Sequence, residues 1–143
     1  MKPVLNKKSF TMAELAIVVI VVGVIAGLAL PRYAVTVERA RSAEGAQTLK
    51  TLLDAQYRFA AENDGAYQDG SGSGNLLVSG DLDVFISSSA NFDVPKIFNN
   101  ASDVARATRV RGGTALYRLD IDENGDISCT NLSGNTYCSK FGY

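Results

Sequence analysis

A long apolar segment begins inside the stretch Lys7-Lys8-Ser9-Phe10-Thr11-Met12-Ala13-Glu14-Leu15, and the rest of the chain is organised around it. From Leu15 to Leu30 every residue is Ala, Val, Ile, Leu or Gly, and Pro31 follows. As a helix, the block from Phe10 to Leu30 is about 31 Å long at roughly 1.5 Å per residue. That length matches a hydrocarbon core of about 30 Å. We therefore predict one membrane span, with the basic N-terminal flank on the cytoplasmic side.

The span is predicted to remain in the chain. An ordinary secretory signal would need small residues one and three positions before a cleavage point near the end of the apolar run. Pro31 follows the candidate junction after Leu30, and Arg32 lies two residues before Ala34. Neither position is a good cleavage site for that class of signal.

Glu14 is a carboxylate at the start of the apolar run, and it has two interpretations. A charge at the centre of a span costs about 2.5–3.5 kcal/mol, and less near its edge, so Glu14 could lie at the headgroup level and ionise freely. Alternatively, cleavage between Ser9 and Phe10 would create a positively charged amine on Phe10. A neighbouring subunit could offer that amine to Glu14.

The segment from Lys7 to about Tyr33 resembles the processing motif of type IV prepilins and related pseudopilins. Phe10, a Glu four residues later and the proline that ends the run all have the family spacing, while Ser9 stands where glycine is usual and Ala13 where a larger aliphatic is usual. The resemblance implies a leader of residues 1–9, removal of that leader by prepilin peptidase, and methylation of the Phe10 amine. It also implies that Glu14 sets the register between subunits.

Beyond Pro31 the helix is predicted to continue as an amphipathic segment over residues 32–64, with a kink at the proline. Its expected apolar face consists of Ala40, Ala43, Ala46, Leu49, Leu52, Leu53, Tyr57, Phe59 and Ala60. Charged residues, Glu38, Arg39 and Arg41 among them, are expected on the opposite side. Gly65 suits the left-handed position at the helix end. The chain thus divides into residues 1–9, 10–31, 32–64 and 65–143.

The last part, residues 65–143, is predicted to be a loop followed by a small antiparallel sheet. Strand-like patterns cover Phe92–Phe98, Val104–Val110, Thr114–Ile121 and Ile127–Leu132. Short turns between them are typical of an antiparallel meander. We expect the amphipathic half of the helix to cover one sheet face, which makes the fold α+β and, by resemblance, type IV pilin-like.

The turn after Ile121 has two interpretations. Asp120, Asp122, Asn124 and Gly125 match an EF-hand loop, and Asp126 adds a carboxylate, but the twelfth position is Asn131 rather than the required Glu. A three-residue hairpin loop with Gly125 in the left-handed position explains the same residues and sets Leu119 opposite Cys129. We predict the hairpin, with calcium as the alternative ligand, and no other cofactor or metal.

Cys129 and Cys138 are predicted to form a disulfide, because the body of the chain is expected outside the membrane. Such a crosslink contributes very roughly 2–3 kcal/mol in the chain-entropy model.

The remaining composition argues against an enzyme and against a dedicated nucleic-acid binder. The chain has no His, so Ser/His and Cys/His catalytic pairs are excluded. The formal charge is −1, and it becomes −4 when the three lysines of the leader are removed. A possible basic patch (Arg106, Arg109, Arg111, Arg118) lacks interleaved aromatic residues, so we interpret it as solvated surface and do not predict DNA as a partner.

We predict a structural subunit of a type IV pilus filament. It would be a homopolymer serving adhesion, twitching motility or DNA uptake, assembled through its N-terminal helix after residence in the inner membrane. One alternative is a major pseudopilin of a type II secretion system, in a periplasmic pseudopilus. The other is a membrane-anchored periplasmic binding module that never assembles.

Overall fold

The computed structural model describes residues 10–70, 82–84, 86 and 89–143, without the side chains of residues 30–32. The predicted leader, including Ser9, and most of the predicted loop at 65–81 lie outside the described residues. The chain divides into two compact units, Met1–Val37 and Glu38–Tyr143, and each is described by itself.

One long helix, α1, spans Met12–Glu62, close to the combined range of the two predicted helical segments, 10–31 and 32–64. The helix continues through Pro31, and the kink there stays a prediction. At the C-terminal end, Gly65 has φ +83° and its N–H donates to the carbonyl of Ala60 over 2.9 Å. A left-handed glycine with this hydrogen bond closes the helix as predicted.

In the second unit, the described residues form a four-stranded antiparallel sheet with the order β1-β2-β3-β4. The strands are β1 (Lys96–Ile97), β2 (Ala105–Arg111), β3 (Thr114–Ile121) and β4 (Ile127–Asn131). The predicted meander and the α+β class are confirmed. The first predicted strand is reduced to two residues, with a separate bridge between Phe92 and Arg109. Pro95, which has no N–H to donate to a sheet, lies directly before the two-residue strand.

The β3–β4 hairpin has the predicted register. Ile121 pairs with Ile127 and Leu119 pairs with Cys129. Gly125 has φ +84°, which a glycine adopts without the steric penalty of a Cβ. The three-residue loop therefore keeps Ile121, Ile127 and Leu119 on one face of the sheet.

The core of the second unit lies between the sheet and the part of α1 after Leu49. Its buried apolar residues include Leu49, Leu52, Leu53, Ala55, Ile97, Val104, Ala105, Ala107, Tyr117, Leu119 and Ile121. The helix thus covers the inner sheet face, as predicted.

Near its start in this unit, the helix buries a different face from the one predicted. Ala40 and Ala43 are exposed, whereas Glu38 and Ser42 are buried. The predicted assignment of Glu38 to the solvent side is wrong, because Glu38 has a buried cationic partner on β2, Arg109.

Candidate functional site: the helix start, the apolar span and the polar cluster

Thr11 and Glu14 form a reciprocal pair of contacts at the start of α1. The Thr11 N–H and hydroxyl each donate to a carboxylate oxygen of Glu14 over 2.9 Å, and the Glu14 N–H donates to the Thr11 hydroxyl oxygen over 3.2 Å. This arrangement is a capping box, in which two otherwise unpaired backbone donors are satisfied. Because Thr11 is uncharged, these contacts leave the charge of Glu14 without compensation.

The capping role of Thr11 was not predicted from the sequence, although the sequence contains the signature of a capping box. A Thr followed three residues later by Glu, just before an apolar run, is the sequence signature of a capping box. Phe10 precedes the box and is 81% exposed. The structure thus brings Phe10 and Glu14 to one helix end, while Ser9 lies outside the described residues.

The apolar segment after Glu14 is long enough to cross a membrane. The window Met12–Ala29 has a mean hydropathy of 2.6, and none of it is buried by the residues that the structure describes. Gly23 and Gly27 have nothing within 4 Å of the position that a Cβ would occupy. The whole circumference of this helix segment is therefore available to lipid or to other chains.

A second group of polar side chains surrounds Glu38 in the other unit. The Arg109 Nε donates to Glu38 Oε1 over 2.6 Å, and the Arg41 guanidinium donates to Glu38 Oε2 over 2.9 Å. Arg109 also donates to the carbonyl of Asn91 over 2.8 Å. Arg109 is 2% exposed and Glu38 is 5% exposed, so a buried carboxylate is shared by two guanidinium groups.

Burial and neighbouring charges shift the pKa values of Glu38 and Tyr117. Burial opposes ionisation of Glu38, but hydrogen bonds and charge from Arg109 and Arg41 outweigh that effect and hold its pKa below the ordinary value. Burial, followed by the negative charge of Glu38, raises the pKa of the Tyr117 phenol far above its usual range. Glu38 is therefore ionised and Tyr117 is neutral at neutral pH.

The interpretation of the four arginines as solvated surface is wrong for Arg109, which is buried. Arg106 and Arg118 lie on the outer sheet face, where both pair with Asp120, and Arg106 also lies over the ring of Phe98. Arg111, at the end of β2, is exposed. The four arginines thus make different contacts and do not form one basic patch.

The carboxylates of the calcium alternative have partners within the chain. Asp120 is 4% exposed, accepts a hydrogen bond from Arg106 and forms an ion pair with Arg118. Asp122 accepts the N–H groups of Asn124 and Asp126 over 2.9 and 2.8 Å, and the Asp126 N–H contributes most to the lowering of the Asp122 pKa. Within the described residues, no group of three or more His, Cys, Asp or Glu gathers to hold a metal. The turn is built as a hairpin loop.

Cys129 of β4 and Cys138 are joined by a disulfide, with their Cα atoms 5.5 Å apart. Cys138 begins a 3-10 turn, Cys138–Lys140, that is followed by Phe141. The ring of Phe141 packs against Tyr117 of β3, at a centroid distance of 5.1 Å. The crosslink therefore holds the C-terminal segment close to the sheet.

One of three comparisons with known proteins found a similar protein. The chain is 37% identical over 59 residues to the type IV major pilin protein PilA of Myxococcus xanthus (strain DK1622), and the match covers 41% of this chain. The chain spans about a quarter of that relative's length, 27%. No family model matches, and no solved structure matches significantly. The similarity to PilA, the apolar N-terminal helix and the α+β fold together support a resemblance to type IV pilins.

Proposed function

We propose that this protein is a structural subunit of a type IV pilus filament. The observation that carries the proposal is the apolar helix segment Met12–Ala29, which the chain itself leaves uncovered. In water such a surface must be buried against lipid or against other apolar chains. Many copies that pack these helices against one another would leave the membrane together, and the similarity to a major pilin favours this outcome over a permanent anchor.

Processing belongs to the same proposal. Prepilin peptidase would cut between Ser9 and Phe10, and the new Phe10 amine would be methylated. The amine of one subunit would then lie against Glu14 of its neighbour, which compensates both charges inside the filament. Pro31 would kink the helix, and the subunit would move from the inner membrane to the cell surface. The partners are further copies of this chain together with the pilus assembly machinery.

The role is structural and requires neither catalysis nor a cofactor. A pseudopilus of a type II secretion system would use the same helix and the same processing. The disulfide between Cys129 and Cys138 suits both assemblies, because the cell exterior and the periplasm are both oxidising. Electron microscopy of the sheared surface fraction separates the two, because a pilus is recovered there and a periplasmic pseudopilus is not.

Processing is tested by intact-mass measurement on protein from the native membrane and from the sheared fraction. We expect a chain that begins at methylated Phe10. A chain that retains Met1 in the sheared fraction would refute processing. A chain found in membranes but never in filaments would instead support the anchored binding module.

The charge of Glu14 can be tested separately from its capping role. Glu14→Gln keeps a side-chain acceptor for Thr11, since Gln also serves in capping boxes, but it removes the negative charge. We expect Glu14→Gln to abolish filaments while the protein still inserts in the membrane. Glu62→Gln, at the other end of α1 where the side chain is also exposed, is the matched control and should assemble normally. Normal filaments from Glu14→Gln would contradict the charge pairing.

A further inference from the structure

The first eleven residues of α1 in the second unit, residues 38–48, bring no buried apolar side chain to the sheet. The buried residues of this segment are Glu38, Ser42 and Gly45. Gly45 lies close to the side chains of Phe92 and Leu119, and the other contacts of the segment with the sheet side are polar. Buried apolar side chains of the helix begin at Leu49 and continue through Leu52 and Leu53.

The strongest of these polar contacts is the pair between Glu38 and Arg109. Its two side chains are 7% and 3% exposed, and they are joined across 2.6 Å. Arg109 is anchored in turn by the Asn91 carbonyl. A buried ion pair loses much of its stability when one partner is removed, because the other charge is left desolvated and unpaired.

Two further contacts act on the same segment from other directions. The Arg39 Nε donates to the carbonyl of Lys140 over 2.8 Å, and the Asn91 amide donates to the Glu44 carboxylate over 3.1 Å. Both are exposed contacts, which contribute little on their own because water competes for the same groups. The buried pair is thus the strongest polar contact of residues 38–48, beside the close packing of Gly45.

We infer that the Glu38–Arg109 pair is a latch for residues 38–48 of α1, and that this segment opens from the sheet as a separate unit when the pair is broken. The closed latch makes Glu38 the first helix residue packed on the sheet. An open latch moves that point to Leu49, a shift of about 16 Å along the helix at roughly 1.5 Å per residue. The sheet and the helix from Leu49 to Glu62 stay folded in both states. The inference concerns the monomer and is independent of the filament proposal.

Hydrogen exchange measured by mass spectrometry on the full chain in detergent tests the latch. Proteins open in local units with different free energies, so the amides of residues 42–48 should exchange faster than those of residues 53–60. Their exchange should also depend weakly on added denaturant, because the opening exposes little surface. Equal protection of the two windows, with one common denaturant dependence, would overturn the inference without any variant.

The variant Glu38→Gln, measured by the same hydrogen-exchange experiment, tests whether the buried pair holds this segment closed. We expect exchange of residues 42–48 to rise at least about tenfold more than exchange of residues 53–60 and of strand β3. The matched control is Arg58→Gln, which breaks the exposed pair of Arg58 with Asp83 further along the same helix. This control should leave residues 42–48 unchanged. A uniform increase across both windows in Glu38→Gln would show a general stabilising role and would overturn the latch.

Discussion

Glu38 is the residue at which the sequence pattern and the three-dimensional structure differ most. Helical spacing puts it beside Arg39 and Arg41, among charged residues typical of a solvated face. Its partner Arg109 is 71 residues away along the chain, and no local pattern indicates that pairing. The burial of Glu38 turns the helix so that Ala40 and Ala43 face outward.

The pairing of Glu38 predicts an acid-sensitive contribution to stability. Its pKa in the folded chain is below the ordinary 4.5, so the contribution is complete above about pH 4.5 and is lost as the pH falls through the folded pKa. The groups that face it are Arg109, Arg41 and Tyr117. Glu38 is the carboxylate of this cluster, so we assign the acid-sensitive contribution to it.

Urea unfolding of the full chain in detergent at pH 7 and at a series of lower pH values measures this effect. Removing one partner of a buried pair costs about 3–5 kcal/mol, so Glu38→Gln should be less stable than the unmodified chain at pH 7. The difference should shrink as the pH falls through the lowered folded pKa of Glu38, because the carboxyl is then protonated in the folded state as well. A difference that stays constant over the whole series would show that the charge of Glu38 is not the cause.

Gly45 is a second residue whose identity is explained by close packing. A Cβ at this position would lie 2.6 Å from Cζ of Phe92 and 3.1 Å from Cδ1 of Leu119. On propensity alone, Gly45→Ala in a helix would gain about 1 kcal/mol. Overpacking in a core costs about 1–3 kcal/mol, so we expect a net loss of stability. A gain in the urea midpoint would contradict the packing argument.

A double-mutant cycle with Phe92→Leu separates the two effects at Gly45. A smaller side chain at position 92 should relieve the overlap, so that Gly45→Ala becomes neutral or stabilising in that background. Coupling of neighbouring sites of this kind is typically about 0.5–3 kcal/mol. Additive effects of the two substitutions would show that Phe92 is not the residue that excludes a Cβ.

At the scale of elements, local signals predict well wherever the structure depends on neighbouring residues. The bounds of β3 agree with its alternating pattern, and the register of its hairpin with β4 follows from turn chemistry around Gly125. The capping box at Thr11 and Glu14 was equally predictable from spacing. The rotation of the helix face was not, because it depends on a contact between distant parts of the chain. The pairing at Glu14 proposed for the filament depends on a second copy, so it stays a prediction.

The β3–β4 hairpin gives a direct test of the turn interpretation. Gly125→Ala forces a Cβ into a backbone with φ +84°, which costs roughly 1–2 kcal/mol for an L-residue. Asn124→Ala in the same loop is the control, because Asn124 is exposed and is not in the left-handed region. Thermal unfolding followed by circular dichroism should show a lower midpoint for Gly125→Ala. Equal midpoints for the two variants would contradict this account of the loop.

At the scale of the whole molecule, the two compact units differ in what surrounds their apolar residues. The first unit exposes its apolar side chains, including Ile17, Val19 and Leu28, at 62%, 62% and 73%. The second buries its apolar residues between α1 and the sheet, and every member of that core belongs to residues 38–143. The hydrophobic effect therefore stabilises the second unit internally, whereas the first needs lipid or other chains.

This difference predicts that a fragment of residues 38–143 folds in water without detergent. It keeps the complete core, the buried pair of Glu38 with Arg109 and the disulfide, and it loses the exposed apolar span. We expect a soluble monomer with the circular dichroism of a mixed helix and sheet and a cooperative urea transition, while the full chain needs detergent to stay monomeric.

A second fragment, residues 49–143, lacks the latch but keeps Leu49 and the core beyond it. It should fold with lower stability, since Arg109 is then buried without its carboxylate. If the longer fragment aggregates or shows no cooperative transition, the second unit depends on the first for its fold, and the separation of roles between the two units is wrong.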